Sequence, residues 1–155
     1  MKKLLFFLVI FSACQTVETP KTEAPITEAE KQIAKDLIQG IFDDVWAGLD
    51  STKISDYHTD DFLLLENGEL WKNEEIKAYV RRQLAKNEAI ERINKMEYLT
   101  IDKYGESIQI VYHNFADFIQ ADTIAYKGRW LESALAVPTE EGWRLKMMHS
   151  TWVRQ

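Results

Sequence analysis

The sequence predicts an α+β fold in which a curved antiparallel β-sheet is wrapped around an N-terminal layer of helices. Between residues 27 and 86 most apolar residues recur with helical spacing, apart from a short hairpin. From Glu91 onward they alternate with polar residues as in β-strands. Helices followed by strands are typical of α+β domains. The 155 residues, 46% of them hydrophobic, are enough for one domain with a sizeable core.

The first helices are predicted from their start signals and apolar faces. Thr27 and Glu30 have the spacing of a capping box, so a long amphipathic helix is expected to begin there and to end near Gly48. A short second helix is predicted over 52–57, followed by a polar loop over 58–61.

A small hairpin and a third helix are predicted next. Asn67-Gly68 is the strongest two-residue hairpin signal, and it joins short strands at 62–66 and 69–71. Asn73 is expected to cap a helix that continues to residue 86.

Four long strands are predicted after the third helix, and together they form an antiparallel meander. They cover residues 91–103, 107–120, 123–137 and 143–153. The turn residues of segment 138–142 separate the last two strands, which therefore form a closing hairpin.

The composition limits the classes of function. The net charge is −6 and no Lys/Arg-rich run occurs, which argues against nucleic acid as a partner. Aromatic residues make up 12% of the chain, as in proteins with large cores, interfaces or apolar pockets. No metal-ligand spacing, nucleophile elbow or Gly-rich phosphate loop is recognisable, so the sequence indicates no metal and no cofactor. The lack of such motifs also favours a protein that is not an enzyme.

The N-terminus has the pattern of an export signal. Residues 1–13 combine a basic start with a short apolar run, which is too short to span a bilayer. The segment ending at Cys14 resembles the lipobox of bacterial lipoproteins, which implies a lipid on Cys14 and anchorage to a membrane. Gln15 after the cysteine implies the outer membrane rather than the inner one. The alternative is an ordinary signal peptide with an incidental cysteine.

The predicted domain organisation follows from this signal. Residues 1–13 are the signal peptide, and residues 14–25 are a flexible tether because they contain prolines and almost no apolar side chains. Residues 26–155 form the folded domain.

The register of the closing hairpin places a candidate site on the concave side of the sheet. An even-length turn brings Glu132 opposite His149 and Ala134 opposite Met147. A carboxylate facing an imidazole can act as a general acid and base, can hold a polar group of a ligand, or can serve only the fold. Glu132 and His149 are therefore the candidate catalytic residues.

Further ligand contacts are expected from aromatic and polar residues on the same wall and on the elements that face it. These candidates are Trp46, Tyr57, Trp71, Tyr112 and Asn114. The opposite face of the closing strands carries Leu135, Met148 and Trp152. An apolar patch on the outside of a sheet indicates an interface, and the chain is therefore predicted to form a homodimer through this face.

The element order resembles that of the nuclear transport factor 2-like superfamily. The resemblance is carried by Trp46 at the end of the first helix, by 57–62 (YHTDDF), and by 142–145 (GWRL) with His149. Within that superfamily the chain is similar to SnoaL-like and ketosteroid-isomerase-like domains. The resemblance implies a cone-shaped, cystatin-like α+β roll with an open end. It implies no single activity, since the superfamily includes isomerases, dehydratases, multimerisation modules and non-catalytic binders.

Three functions remain open from the sequence. The aromatic content favours an exported lipoprotein that binds a small, largely apolar ligand in the cone. One alternative is an envelope interaction or dimerisation module without a ligand. The other is a lyase- or isomerase-type enzyme that uses His149 and Glu132, although the carboxyl and tyrosine groups of ketosteroid isomerases find no residue-by-residue match.

Overall fold

A computed structural model of the protein describes residues 25–154. The predicted signal peptide, Cys14 and the tether up to residue 24 lie outside the described residues. No helix of the described part is long and apolar enough to cross a membrane.

The helical layer begins as predicted. Helix α1 (Glu28–Ile41) starts with the expected capping box, in which the Glu30 amide donates to Thr27 Oγ1 at 3.2 Å and the Thr27 amide donates to Glu30 Oε2 at 2.9 Å. The chain then continues without a break into a π-helix (Phe42–Ala47). A 3₁₀ turn (Ser51–Lys53) and helix α2 (Ile54–Tyr57) follow, and helix α3 (Asn73–Ala85) comes after the small hairpin.

The sheet contains six strands and confirms the predicted α+β fold. They are β1 (His58–Glu66), β2 (Glu69–Trp71), β3 (Glu91–Tyr104), β4 (Ser107–Gln120), β5 (Thr123–Thr139) and β6 (Gly142–Trp152). Their order is β2-β1-β6-β5-β4-β3, in a curved sheet that does not close. All neighbours are antiparallel except β1 and β6, which run parallel.

The predicted polar loop at 58–61 is wrong, because these residues begin strand β1. His58 is 3% exposed, stacks on Phe62 with ring centroids 3.6 Å apart, and donates from Nδ1 to Asn73 Oδ1 at 2.9 Å. Asn73 therefore does not cap α3 as predicted; Lys72 occupies the N-cap position. Because His58 is buried, the segment 58–61 joins the sheet instead of forming a loop, and the Asn73 side chain binds His58 instead of capping α3. The polar residues around His58 gave no indication of this burial.

The core lies between the helical layer and the concave face of the sheet. Helix α1 and the π-helix contribute Ala34, Ile38, Ile41 and Val45, and the sheet contributes Ile108, Ile110, Ala136 and Leu145; all eight are fully buried. These side chains hold the helical layer against the centre of the sheet.

Candidate functional site

The pairing of β5 with β6 differs from the prediction at one residue. Ala136 pairs with Leu145 as expected, but Leu135 pairs with Met147, so Lys146 is an extra residue in β6. Such a β-bulge moves every later side chain of the strand to the other face.

The predicted pairing of Glu132 with His149 is wrong as a consequence. Glu132 pairs with Ser150 on the concave face, whereas His149 pairs with Ser133 and is exposed on the outer face. The two candidate catalytic residues thus lie on opposite sides of the sheet.

The bulge also relocates residues predicted to form the outer face. Met148 is 2% exposed and packs in the core. Trp152 pairs with Trp130 on the concave side, where their rings meet edge to face with centroids 4.8 Å apart. Of the three residues predicted for the dimer face, only Leu135, which pairs with Met147, lies on the outer side.

A row of polar side chains crosses the concave face, with one residue from each of five adjacent strands. The strand registers place Glu66, Ser150, Glu132, Tyr112 and Tyr98 side by side on β1, β6, β5, β4 and β3. The Ser150 hydroxyl donates to Glu132 Oε1 at 3.0 Å. Five polar groups in one row of a face that also holds the apolar core require a reason other than packing.

Buried amides support this polar row from the next strand positions. Asn114 donates from Nδ2 to Glu132 Oε2 at 3.4 Å and accepts from Asn94 at 2.7 Å. Asn114 and Tyr112 are completely buried. Both predicted site residues therefore lie on the same face as Glu132. Tyr112 is paired with Glu132 across the strands, and Asn114 donates a hydrogen bond to its carboxyl group.

A cavity of about 140 Å³, here called the inner cavity, opens above the polar row. Its walls are mainly aromatic and aliphatic, and its polar lining residues are Glu66, Arg92, Glu132 and Ser150. The apolar lining residues are Phe42, Trp46, Leu64, Trp71, Tyr79, Trp130 and Met148. A mostly apolar cavity with a few convergent polar groups is the usual form of a small-molecule site.

The π-helix places two aromatic rings over this cavity. Phe42 and Trp46 both belong to it, and their ring centroids lie 6.3 Å apart. A π-helix adds a residue to the helical turn, which rotates the following side chains, and such segments frequently occur at functional sites. The Trp46 ring also contacts Tyr79 of α3 with a centroid distance of 5.5 Å, so the two helices share this wall.

Burial raises the pKa of Glu132 to about 7. Ser150, Tyr112 and Arg92 oppose the rise, and the neighbouring Glu66 adds to it. Burial likewise raises the pKa of Glu66. Near neutral pH the Glu132 carboxyl group can therefore donate a proton or accept one.

Arg92 of β3 brings a positive charge to the same cavity. Its guanidinium group lies 5.5 Å from the ring centroid of Phe42, 5.4 Å from that of Phe118 and 5.2 Å from that of Trp130. Cation–π contacts of this kind stabilise a guanidinium group away from bulk water. Burial still lowers the pKa of Arg92, although an arginine remains charged.

Of the remaining predicted site residues, two line the inner cavity and one does not. Trp46 and Trp71 line the inner cavity. Tyr57 does not, because its hydroxyl donates to Asp44 at 2.6 Å and its ring packs against Gly40. Among residues 25–154 no three His, Cys, Asp or Glu side chains are grouped as metal ligands.

Solved structures resemble this chain, although no protein-family model and no curated protein sequence matches it. A nuclear transport factor 2-like protein from Cytophaga hutchinsonii superposes with a TM-score of 0.65 at 11% identity, over 83% of this chain and 100% of that one. A ketosteroid isomerase-like protein from Erwinia carotovora atroseptica gives a TM-score of 0.62 at 12% identity, over 84% and 100%. An uncharacterised protein with a cystatin-like fold from Caulobacter vibrioides gives a TM-score of 0.58 at 18% identity, over 80% of this chain and 89% of that one.

The chain has the nuclear transport factor 2-like fold. This confirms the resemblance inferred from the sequence. Because these identities are low, the likeness concerns the fold, and any activity has to be argued from the residues of the site.

Sequence reasoning missed several lining residues of this nuclear transport factor 2-like cone. Glu66, Arg92 and Ser150 were not identified as candidates. Arg92 lies on the same face of β3 as Asn94 and Met96. A charged residue on the face that carries an apolar Met96 could have indicated a functional position. Ser150 carried no signal, because its face depends on the bulge at Lys146.

Proposed function

We propose that the protein binds a small, largely apolar molecule in the inner cavity, with a polar group of that molecule at Glu132 and Ser150. The observation that carries this proposal is an aromatic-walled cavity of about 140 Å³ above a row of polar side chains. A filled core would bury more apolar surface, so the open volume and the buried carboxyl group both cost stability that a ligand would recover.

The proposal is tested by thermal denaturation and native mass spectrometry with a panel of small apolar compounds. Trp71 lines the cavity from the short edge strand β2, and Trp71→Ala is expected to weaken binding. Trp143→Ala is the matched control, since Trp143 packs on the core but does not line the cavity. Equal binding by the two variants, or no binding to the wild-type protein, would contradict the proposal.

A second candidate function is proton transfer on a bound carbonyl compound, as in an isomerase or lyase. It is favoured by the position of Glu132 in the cavity wall together with its pKa of about 7. His149 takes no part, because it lies on the outer face. Nuclear magnetic resonance in deuterated water would detect hydrogen exchange at carbon in a bound ketone. Exchange should disappear in Glu132→Gln and persist in His149→Ala; persistence in both would exclude Glu132 as the base.

We further propose that Cys14 anchors the protein to a membrane of the cell envelope, with the outer membrane preferred. The support is the signal-like segment 1–13 and the lipobox-like residues before Cys14. Expression in a bacterium, followed by membrane fractionation and mass measurement, tests this. Wild-type protein should carry a lipid and float with outer membranes, whereas Cys14→Ser should do neither.

We also propose that the protein forms a homodimer through the outer face of the sheet. Leu135 remains part of this face, which also carries Leu131 of β5 and Leu65 of β1, 43% and 39% exposed. Exposed apolar side chains in one sheet face are typical of an isologous interface.

A further inference from the structure

We propose that the ligand of the inner cavity is a small carboxylic acid, bound as its anion by the guanidinium group of Arg92. This inference rests on the proposed binding function and names the chemical class of the ligand. It follows from the contacts that Arg92 makes and from those that it lacks.

Three aromatic rings surround the guanidinium group of Arg92, and its Nε–H group makes no hydrogen bond to any described residue. Phe42, Phe118 and Trp130 surround the guanidinium group at centroid distances between 5.2 and 5.5 Å. The buried Nε atom has no hydrogen-bond partner in the part of the chain that the structure describes. No ion pair to Arg92 occurs within residues 25–154 either. Arg92 as a whole is half-buried, but a buried N–H group without an acceptor is unfavourable unless an acceptor arrives.

A carboxylate is the group that matches these donors. A guanidinium presents its N–H groups in a planar fork that binds both oxygens of a carboxylate, and such pairs are among the strongest hydrogen-bonded contacts. Trp46 lines the same cavity, and its buried Nε1 has no acceptor among the described side chains. An anionic group placed in the inner cavity would therefore lie next to both side chains.

The carboxyl groups already in the cavity form no ion pair with Arg92. Glu132 accepts hydrogen bonds from Ser150 and Asn114, at 3.0 and 3.4 Å, and its charge interacts with Arg92 only at longer range. Burial raises the pKa values of both Glu132 and Glu66, so these groups carry less negative charge near neutral pH than carboxyl groups in water. The positive charge of Arg92 is therefore only partly balanced by the carboxyl groups of the protein.

The dimensions of the cavity limit the body of the acid. Its volume of about 140 Å³ is comparable to the roughly 150 Å³ of an apolar cavity that admits benzene. Trp46, Tyr79 and Arg92 also line a neighbouring cavity of about 130 Å³, to which Gln83 and Lys86 contribute polar atoms. An acid with one ring in the inner cavity would thus hold its carboxylate at the wall shared with the more polar cavity.

The inference is tested by calorimetric titration of the folded protein with benzoate, benzamide and toluene. Benzamide has nearly the same shape as benzoate but no charge, and toluene reports the apolar cavity alone. Wild-type protein should bind benzoate about 10-fold to 100-fold more tightly than benzamide, since hydrogen bonds to charged groups carry that much free energy. Equal affinities for benzoate and benzamide would overturn the inference.

Two variants and a matched control locate the effect at Arg92. Arg92→Met should remove the preference for benzoate while benzamide and toluene bind as before, and Arg92→Lys should retain part of it. Arg82→Met removes the same charge from an exposed position of α3 and should change nothing. If Arg92→Met fails to fold, the inference is tested by comparing the affinities for benzoate and benzamide in wild-type protein and in Arg92→Lys. Toluene binding without benzoate binding would refute the acid alone, whereas failure of all three ligands would refute the proposed function as well.

Discussion

At the scale of single residues, burial decides the chemistry of Glu132. Its side chain is on the concave face, 5% exposed, and receives a hydrogen bond from Ser150 at 3.0 Å. That bond favours the charged form, but desolvation is the larger effect and raises the pKa to about 7. The other charged and polar groups around it are Glu66 of β1, Arg92 of β3, and Tyr112 and Asn114 of β4.

The first prediction concerns the dependence of stability on pH. In the unfolded chain the Glu132 carboxyl titrates near 4.5, whereas in the folded protein it titrates near 7. Between these values the folded state holds the extra proton, so its stability relative to the unfolded state falls as pH rises through the window. The shift corresponds to about 3 kcal/mol at pH values above the folded pKa.

Glu132→Gln should remove this loss, because the amide does not titrate. Urea unfolding at about pH 5, near the lower end of this window, and at about pH 8, above its upper end, should show a smaller pH effect for the variant than for wild type. Glu141→Gln is the control, since that side chain is 81% exposed. An unchanged pH dependence in Glu132→Gln would show that other groups cause it.

The second prediction concerns the close approach of Gly128 to the aromatic wall. A Cβ at Gly128 would lie 2.4 Å from the Trp130 ring and 3.2 Å from the Trp152 ring. Gly128→Ala should therefore push Trp130 towards the inner cavity and destabilise the fold by about 1 to 3 kcal/mol. Chemical denaturation measures the loss, and the double variant Gly128→Ala with Trp130→Leu should recover much of it. No recovery in the double variant would place the strain elsewhere.

At the scale of elements, two irregularities assemble the site. The π-helix sets Phe42 and Trp46 over the inner cavity, and the bulge at Lys146 turns Met148 and Ser150 towards it. The regular parts of both elements were predictable: the capping box at Thr27 and the Asn67-Gly68 hairpin occur where the sequence placed them. The irregular parts were not, because a bulge leaves the alternating pattern intact on either side and only shifts its phase.

The third prediction tests the bulge. Deleting Lys146 removes the extra residue but leaves Met147 opposite Leu135 and Ser150 opposite Glu132, so Met148 and Ser150 should stay on the concave face. Inserting one alanine after Lys146 should instead shift the later residues by one position and turn Met148 and Ser150 to the outer face, at a cost of roughly 3 kcal/mol or more for the lost core contacts. The insertion variant should therefore unfold at much lower urea concentration than the deletion variant. Lys146→Ala keeps the register and removes only the exposed contact with Asp61, so it should fold normally. An insertion variant as stable as wild type would mean that the register of β6 adapts.

At the scale of the whole molecule, the sheet separates two surfaces of different composition. Its concave face holds the core and the inner cavity. Its outer face carries exposed apolar residues on strands far apart in sequence, such as Leu65 of β1, Ile93 of β3 and Leu131 of β5. Because one curved sheet forms both surfaces, an interface on the outer face leaves the cavity accessible.

The fourth prediction concerns this outer face. Leu65→Glu and Leu131→Glu should each shift the protein from dimer to monomer, because a charge buried in an apolar interface is costly. Light scattering after gel filtration measures the molar mass. Leu84→Glu is the control, since Leu84 is 58% exposed on α3, on the helical side. A wild-type protein that is monomeric at all concentrations would contradict the proposed dimer.

The sequence by itself determined the fold class, the order of the elements and most of their boundaries, because helix caps, turns and side-chain periodicity are local properties. It also placed Glu132, Tyr112 and Asn114 on one face, since simple alternation holds within β4 and within that part of β5. Only the tertiary structure decided which residue meets Glu132. The bulge at Lys146 replaced His149 by Ser150, and Arg92 came from β3, two strands away in the sheet. Strand register and the contents of a cavity depend on packing between distant segments, and local sequence does not specify that packing.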